Sequence, residues 1–245
     1  MTDHRKGVAL ITGANKGIGF ETARQLGLQQ FVVLIGARDP TLGEPAAKKL
    51  AEMGMDARFI RLDVTDDATI HAAAHEIEDT FGRLDVLVNN AGTGSPSDAP
   101  PSKADLSEVR RVFEVNFFGA LAVTQAMLPL LRKSSAGRIV NVSSGLGSLT
   151  HHSDPDWEFG QVQMIGYNGS KAALNMATVL LAKELRDTSI KVNSVSPGFT
   201  ATDLNGGGPG AQSVEEGATA SVLTALLPDS GRTGGFMGRD GPEPW

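Results

Sequence analysis

The stretch Val8-Ala9-Leu10-Ile11-Thr12-Gly13-Ala14-Asn15-Lys16-Gly17-Ile18-Gly19 decides the fold. An unbroken apolar run, then a glycine-punctuated turn, then a helical pattern reads as strand, turn and helix. Apolar runs without polar alternation belong to strands covered on both faces, which occur in parallel sheets flanked by helices. Glycines let the backbone turn sharply and come close to a diphosphate, whose charge faces the N-terminus of the next helix. The spacing is Gly-x3-Gly-x-Gly, over Gly13, Gly17 and Gly19, with Asn15, Lys16 and Ile18 inside the turn. The turn lacks the Gly-Lys-Ser/Thr ending of a triphosphate-binding loop, which disfavours ATP and GTP.

The same alternation continues outward. Strand patterns are expected at residues 31–35, 57–62, 84–88, 138–142, 190–195 and 235–237. Helical patterns fall at 17–28, 46–53, 68–81, 106–131, 167–186 and 214–227. This order predicts an α/β chain forming one doubly wound parallel sheet (a Rossmann fold) of about seven strands, with helices on both faces and right-handed crossovers. No linker divides residues 1–245, so one domain is expected to hold both dinucleotide and catalytic groups. The polar or Gly/Pro-rich stretches 93–104, 151–166 and 205–212 read as loops after strands, at the edge where such sheets bind ligands.

Composition narrows the chemistry. The formal net charge is −6 with no Lys/Arg-rich run, so neither nucleic acid nor an anionic membrane is an expected partner. There is no cysteine, which excludes a disulfide, a thiolate nucleophile and a Cys-ligated zinc. Residues 1–6 are polar and the apolar run after them is short, so a soluble, cytoplasmic protein is expected. His71 and His75 have metal-compatible i, i+4 spacing but lack the intervening Glu of H-E-x-x-H, and a solvated helix face is the simpler reading. No metal is expected.

The second strand leads into Gly36-Ala37-Arg38-Asp39. A carboxylate there suits the free ribose 2′-hydroxyl of NAD, whereas a cation suits the 2′-phosphate of NADP. Arg38 comes first and Lys16 lies in the glycine turn. Two cations converging on one phosphate favour NADP over NAD. Asp39, beside Pro40, reads as a helix-starting residue.

Tyr167 and Lys171 are spaced i, i+4 at the start of a helical pattern and share one face. A phenol with a pKa near about 10 is a sluggish acid at neutral pH, and a nearby ammonium is expected to lower it. Tyr167 is the only tyrosine in the chain, so a phenolic acid must be this one. Ser143 and Ser144 follow the fifth strand, where a hydroxyl can steady a developing alkoxide. A Ser-His-Asp hydrolase using His151 or His152 is disfavoured, because no G-x-S-x-G elbow surrounds these serines. Asn116 lies in the apolar helical run 112–121, and from periodicity alone reads as a buried amide satisfied by local backbone.

Together these residues resemble the short-chain dehydrogenase/reductase family of the classical type, over nearly the whole chain. Thr12 to Gly19 is similar to its TGxxxGxG turn, and Asn89-Asn90-Ala91-Gly92 to its NNAG element. Pro197-Gly198, with Thr200 and Thr202, is similar to the segment at the nicotinamide end. The resemblance implies that Asp63 and Val64 meet adenine, and that Asn90, Ala91 and Gly92 line the cofactor. It implies a catalytic set of Asn116, Ser144, Tyr167 and Lys171, with Ser144 preferred over Ser143. Lys171 would also bind nicotinamide ribose, and Asn116 would anchor a relay water. Within the family, 13–20 and 37–39 look most like the NADPH-dependent carbonyl reductases, which implies Lys16 and Arg38 on the 2′-phosphate. The interval from Ser144 to Tyr167 is longer than the compact pattern, with residues 151–157 inserted.

The expected activity is NADPH-dependent reduction of an aldehyde or ketone, a small-molecule carbonyl. The alternatives are alcohol oxidation with NAD(P), and a non-catalytic dinucleotide-binding or sensor protein on the same fold. The helices at 106–131 and 167–186 resemble those that pair in family homodimers and homotetramers, and the insert could block that pairing.

Overall fold

The computed structural model describes residues 7–245; the polar opening, residues 1–6, lies outside the described residues. Among these, seven strands form one sheet. They are β1 (Val8–Thr12), β2 (Val32–Ala37), β3 (Ala57–Arg61), β4 (Val86–Asn89), β5 (Arg138–Val142), β6 (Lys191–Val195) and β7 (Phe236–Met237). The order is β3-β2-β1-β4-β5-β6-β7, and every strand pair is parallel. The chain reverses its direction of travel across the sheet between β1 and β4, which opens a crevice at their carboxyl ends.

Strand alternation sorts the core into two layers. Val8, Leu10, Val32, Leu34 and Leu87 point to one face, where they pack against α3 (Asp67–Phe81), α5 (Ala120–Leu131) and the end of α7 (Ile165–Glu184). Ala9, Ile11, Val33, Ile35, Val86 and Val88 point to the other, against α1 (Gly17–Leu28), α2 (Pro40–Glu52) and α8 (Val214–Ala225). Each large aliphatic side chain fully buried this way contributes about 1.5–3 kcal/mol. The stretch Leu106–Leu131 is long and apolar enough to cross a membrane by length and composition. Here it lies along the sheet, with Val123, Met127, Leu130 and Leu131 in the core.

Three elements differ from expectation. The helix α2 starts at Pro40, six residues before the predicted 46, because Asp39 caps it by accepting from Thr41 N at 2.9 Å. That bears out the helix-starting reading of Asp39. The predicted single helix 106–131 is α4 (Leu106–Phe113), a π-helical turn (Glu114–Gly119) and α5 in continuity. The expected loop 151–166 is partly helical, since α6 (Leu149–Ser153) is capped by Ser148.

Candidate active site

The first βα turn is built around Thr12. Its hydroxyl accepts from Asn90 N at 3.0 Å and from Ala91 N at 2.9 Å, so β1 fixes the backbone that follows β4. Asn90 returns the contact, with Nδ2 donating to the Thr12 carbonyl at 2.8 Å. Gly13 and Gly17 sit at φ 63° and 58°, in the left-handed region. Gly19 has no room for a side chain, since a Cβ there would collide with Asn90 Nδ2 and the Gly13 carbonyl. This close approach seats the N-terminus of α1 directly over the strand ends.

That N-terminus has no side-chain cap. Helices α2, α3, α4 and α8 each begin with a side chain accepting from their first turn, from Asp39, Asp66, Asp105 and Ser213. At α1 the capping position is Lys16, which makes no such bond, and no acidic residue follows in the first turn. Uncapped N–H groups at a helix start suit an anion. Arg38, exposed just past β2, makes no hydrogen bond or ion pair with the described residues. Lys16 is ion-paired, with Nζ 2.6 Å from Asp203 Oδ2. Asp63 and buried Val64 follow β3, and the Asp63 carboxylate accepts from Thr65 N at 3.0 Å.

The next strand ends gather the remaining groups. Asn116 is brought inward by the π-helical turn, where Gly119 lies so close to the Val64 carbonyl that a Cβ would sit 2.7 Å from it. Such turns insert a residue into a helix and re-aim its neighbours. Asn116 Oδ1 accepts from Thr93 N at 2.8 Å; its Nδ2 donates to the Thr93 carbonyl at 2.9 Å and to Ser170 Oγ at 3.0 Å. Lys171, on α7, is buried and donates from Nζ to the Val142 carbonyl at 2.7 Å. The two side chains meet at Gly92, where a Cβ would lie 3.5 Å from Asn116 Oδ1 and 3.6 Å from Lys171 Nζ. Tyr167 stands one turn before Lys171, whose Nζ is 5.7 Å from the phenol ring centre.

Ser144 and Ser143 have different surroundings. Ser143 is buried, with Oγ donating to the Lys171 carbonyl at 3.3 Å, whereas the Ser144 hydroxyl accepts from Leu146 N at 3.2 Å and lies near enough to the Tyr167 phenol to lower its pKa. His151 and His152 are engaged elsewhere, with Glu243 and the Leu146 carbonyl. Exposed His71 and His75 stay on α3, and no group of three metal-ligating side chains occurs among the described residues.

One expectation needs correcting. Burial raises the Tyr167 phenol above its ordinary value, and the influence that pulls it back is the Ser144 hydrogen bond, not the lysine. The physical reason is that the Lys171 ammonium is directed at the Val142 carbonyl. Burial in turn lowers Lys171 to about 8.

After β6, Pro197 and Gly198 (φ 79°) turn the chain, and Thr200 is buried beneath it. Gln212 Nε2 donates to the Pro197 carbonyl and, at 3.1 Å, to Thr200 Oγ1. Asn205 Nδ2 donates to the Thr200 carbonyl at 2.7 Å, and Thr202 N donates back to Asn205 Oδ1 at 3.3 Å. The role of Gln212 and Asn205 as braces was not legible from sequence, because both contacts depend on how the loop folds back.

With this geometry in place, residues 7–209 match the family model of the short chain dehydrogenases. The chain belongs to that family. It is an oxidoreductase on the Rossmann fold. It is 41% identical over 226 residues to the short-chain dehydrogenase anuI of Penicillium roqueforti (strain FM164), covering 90% of this chain and 88% of that one. It is 34% identical to salutaridine reductase of Papaver bracteatum, with 93% of each chain covered. Among solved structures it resembles an NADPH-bound carbonyl reductase from chicken fatty liver, with a TM-score of 0.86, 28% identity, and 98% and 100% of the two chains covered.

Proposed function

We propose that this oxidoreductase reduces an aldehyde or ketone with NADPH. The observation that carries the reading is the Ser144–Tyr167 hydroxyl pair, placed beside buried Lys171 and Asn116 at the strand ends. When bound, the nicotinamide supplies hydride to the carbonyl carbon. Tyr167 gives its proton to the carbonyl oxygen, and Ser144 donates a hydrogen bond to the same oxygen. The raised phenol pKa keeps that proton in place at neutral pH until negative charge develops on the substrate. Lys171 would hold the nicotinamide ribose and return a proton to Tyr167. Asn116 supports the relay by anchoring a water beside Lys171.

The residues present fit the dinucleotide. The uncapped start of α1 would take the diphosphate, with Gly13, Asn15, Gly17, Ile18 and Gly19 as its cradle. Arg38 and Lys16 would hold the 2′-phosphate, and Asp63 and Val64 the adenine. Asn90, Ala91, Gly92, Pro197, Gly198, Thr200 and Thr202 would line the rest. The NADPH-bound state of the avian relative and the reductase names of the plant relatives support this choice over NAD.

A second copy of the chain is the partner we favour, paired through the side formed by the π-helical turn, α5 and α7. Phe118, Met176 and Leu180 are 51%, 59% and 56% exposed there. Oxidation of NADPH with a panel of aldehydes, ketones and quinones tests the activity. Absence of NADPH binding, or full activity in Tyr167→Phe, overturns it.

A further inference from the structure

The insert between Ser144 and Tyr167 is not an idle loop. Trp157 stacks on His151 at 4.9 Å and 6° between planes, and meets His152 edge-on at 4.9 Å. Phe159 lies 5.7 Å from Trp157, and Phe199, from the turn after β6, lies 6.3 Å from Phe159. The row therefore joins two strand ends across the mouth of the site. It also reaches the chemistry, since a Cβ on Gly145, next to Ser144, would sit 3.7 Å from Trp157 Cζ2. Phe199 is 37% exposed, and Leu204, 51% exposed in the same segment after β6, comes within 3.5 Å of where a Cβ on Gly94 would sit.

The end of the chain holds this row from behind. The His151 ring donates from Nε2 to Glu243 Oε2 at 3.1 Å. A carboxylate can only accept, so this bond fixes which nitrogen carries the proton and how the ring is turned. Thr150 N donates to the Trp245 carbonyl at 2.7 Å, and the Trp245 ring stacks on buried Phe236 of β7 at 5.4 Å. The backbone of Glu243 is itself tied down, with its N–H donating to the Phe236 carbonyl at 2.9 Å. The sheet edge thus anchors the tail, the tail orients His151, and His151 backs the indole of Trp157.

We propose that Trp157, Phe159 and Phe199 form the substrate-facing wall, that this wall selects carbonyls bearing flat apolar rings, and that Glu243 and His151 are positioning residues that set its angle. An offset ring on an aromatic face gains an attraction beyond the area it buries, whereas a short aliphatic aldehyde gains little. The proposal rests on the carbonyl-reducing reading of the Ser144–Tyr167 pair, and its test keeps the two apart.

The full-length protein is loaded with NADP, and acetonaphthone binding is followed by tryptophan fluorescence quenching and calorimetry. This measurement needs no turnover. In parallel, NADPH oxidation is followed with acetonaphthone and with propanal. Trp157→Ala is expected to weaken acetonaphthone binding and raise its KM by about tenfold, with Trp157→Phe recovering most of the loss. Glu243→Ala is expected to raise the same KM by about threefold and leave kcat near the wild-type value, while Glu243→Gln, which keeps an acceptor for His151, stays near wild type. The KM for propanal moves by less than about twofold in every variant. Equal factors for both carbonyls, or unchanged acetonaphthone binding in Trp157→Ala, overturn the wall. A loss in Glu243→Ala that appears in kcat and in melting temperature, equally for both carbonyls, overturns the positioning role. If neither carbonyl is turned over but acetonaphthone binds through Trp157, the wall stands and the catalytic reading falls.

Discussion

Asp203→Asn is expected to tighten NADPH binding and to leave NADH binding unchanged. The reasoning starts from Lys16, whose Nζ sits 2.6 Å from Asp203 Oδ2, with side chains 65% and 77% exposed. A 2′-phosphate that takes Lys16 must first draw it away from Asp203. An ion pair this exposed is worth about 0.2–1 kcal/mol. Competition of that strength weakens the ligand by about 1.5- to 5-fold, which is the gain expected when the carboxylate is removed. The substituted side chain is exposed, so the fold should not respond. The gain should fade with added salt, because the screening length drops from about 8 Å at physiological ionic strength to about 3 Å at 1 M. Titration calorimetry with NADPH and NADH, at two salt concentrations, reads the effect. Equal tightening of both nucleotides would show a general loss of negative charge near the diphosphate rather than competition for Lys16. No change, or weaker NADPH binding, would refute the assignment of Lys16 to the 2′-phosphate and leave Arg38 alone in that role.

Other outcomes follow from the same geometry. Arg38→Ala should weaken NADPH by about tenfold while sparing NADH, read as a change in the ratio of the two Kd values. Tyr167→Phe should lower kcat by about 10²–10⁴-fold, with NADPH affinity kept within a small factor, measured by single-turnover oxidation and calorimetry. Lys171 loses its proton as pH rises through about 8, so kcat/KM should fall on the alkaline side with a break there. Lys171→Arg, which stays charged, should lack that break even where its overall rate is lower. Asn116→Ala takes the acceptor from the half-buried Thr93 N–H, while Ser170 Oγ keeps its bond to the Tyr167 carbonyl, and should cost about 1–3 kcal/mol of stability in all, read by urea unfolding.

The fold was legible because its signal is repeated. Each strand is a continuous apolar run and each is followed by a helical pattern, so a misplaced boundary in one unit leaves the order intact. Boundaries failed where a side chain outside the apolar pattern decides them. The start of α2 is set by Asp39 accepting from Thr41, in a segment whose Thr41, Gly43 and Pro45 carry no apolar period. The π-helical turn was illegible for a different reason. A stretch with one extra residue per turn keeps the same composition and nearly the same apolar face. Its one marker is Gly119, whose need for a bare Cα comes from the Val64 carbonyl, far away in sequence. The wall row was hidden likewise: Trp157 meets Phe199 through Phe159, and no spacing rule joins an insert after β5 to a turn after β6.

The corrected tyrosine bears most on mechanism. Spacing alone suggests that a lysine one turn away acts by charge on the phenol. The geometry divides the labour differently. Lys171 gives its ammonium to the Val142 carbonyl, at the end of β5, and Ser144 stands just beyond that same strand end. Its position is thereby tied to the strand that carries the serine, so both partners of Tyr167 are placed by one rigid element. An acid that must wait for an alkoxide gains from holding its proton, and burial supplies that hold. Refilling the phenol is a separate task, suited to a cation whose own pKa has been brought down to about 8. Donor and reservoir then sit on one helix face, each tuned by desolvation in the direction its task requires. Opening the pocket to water should reverse both shifts together, which ties the alkaline break in kcat/KM to the apolar row that covers the site.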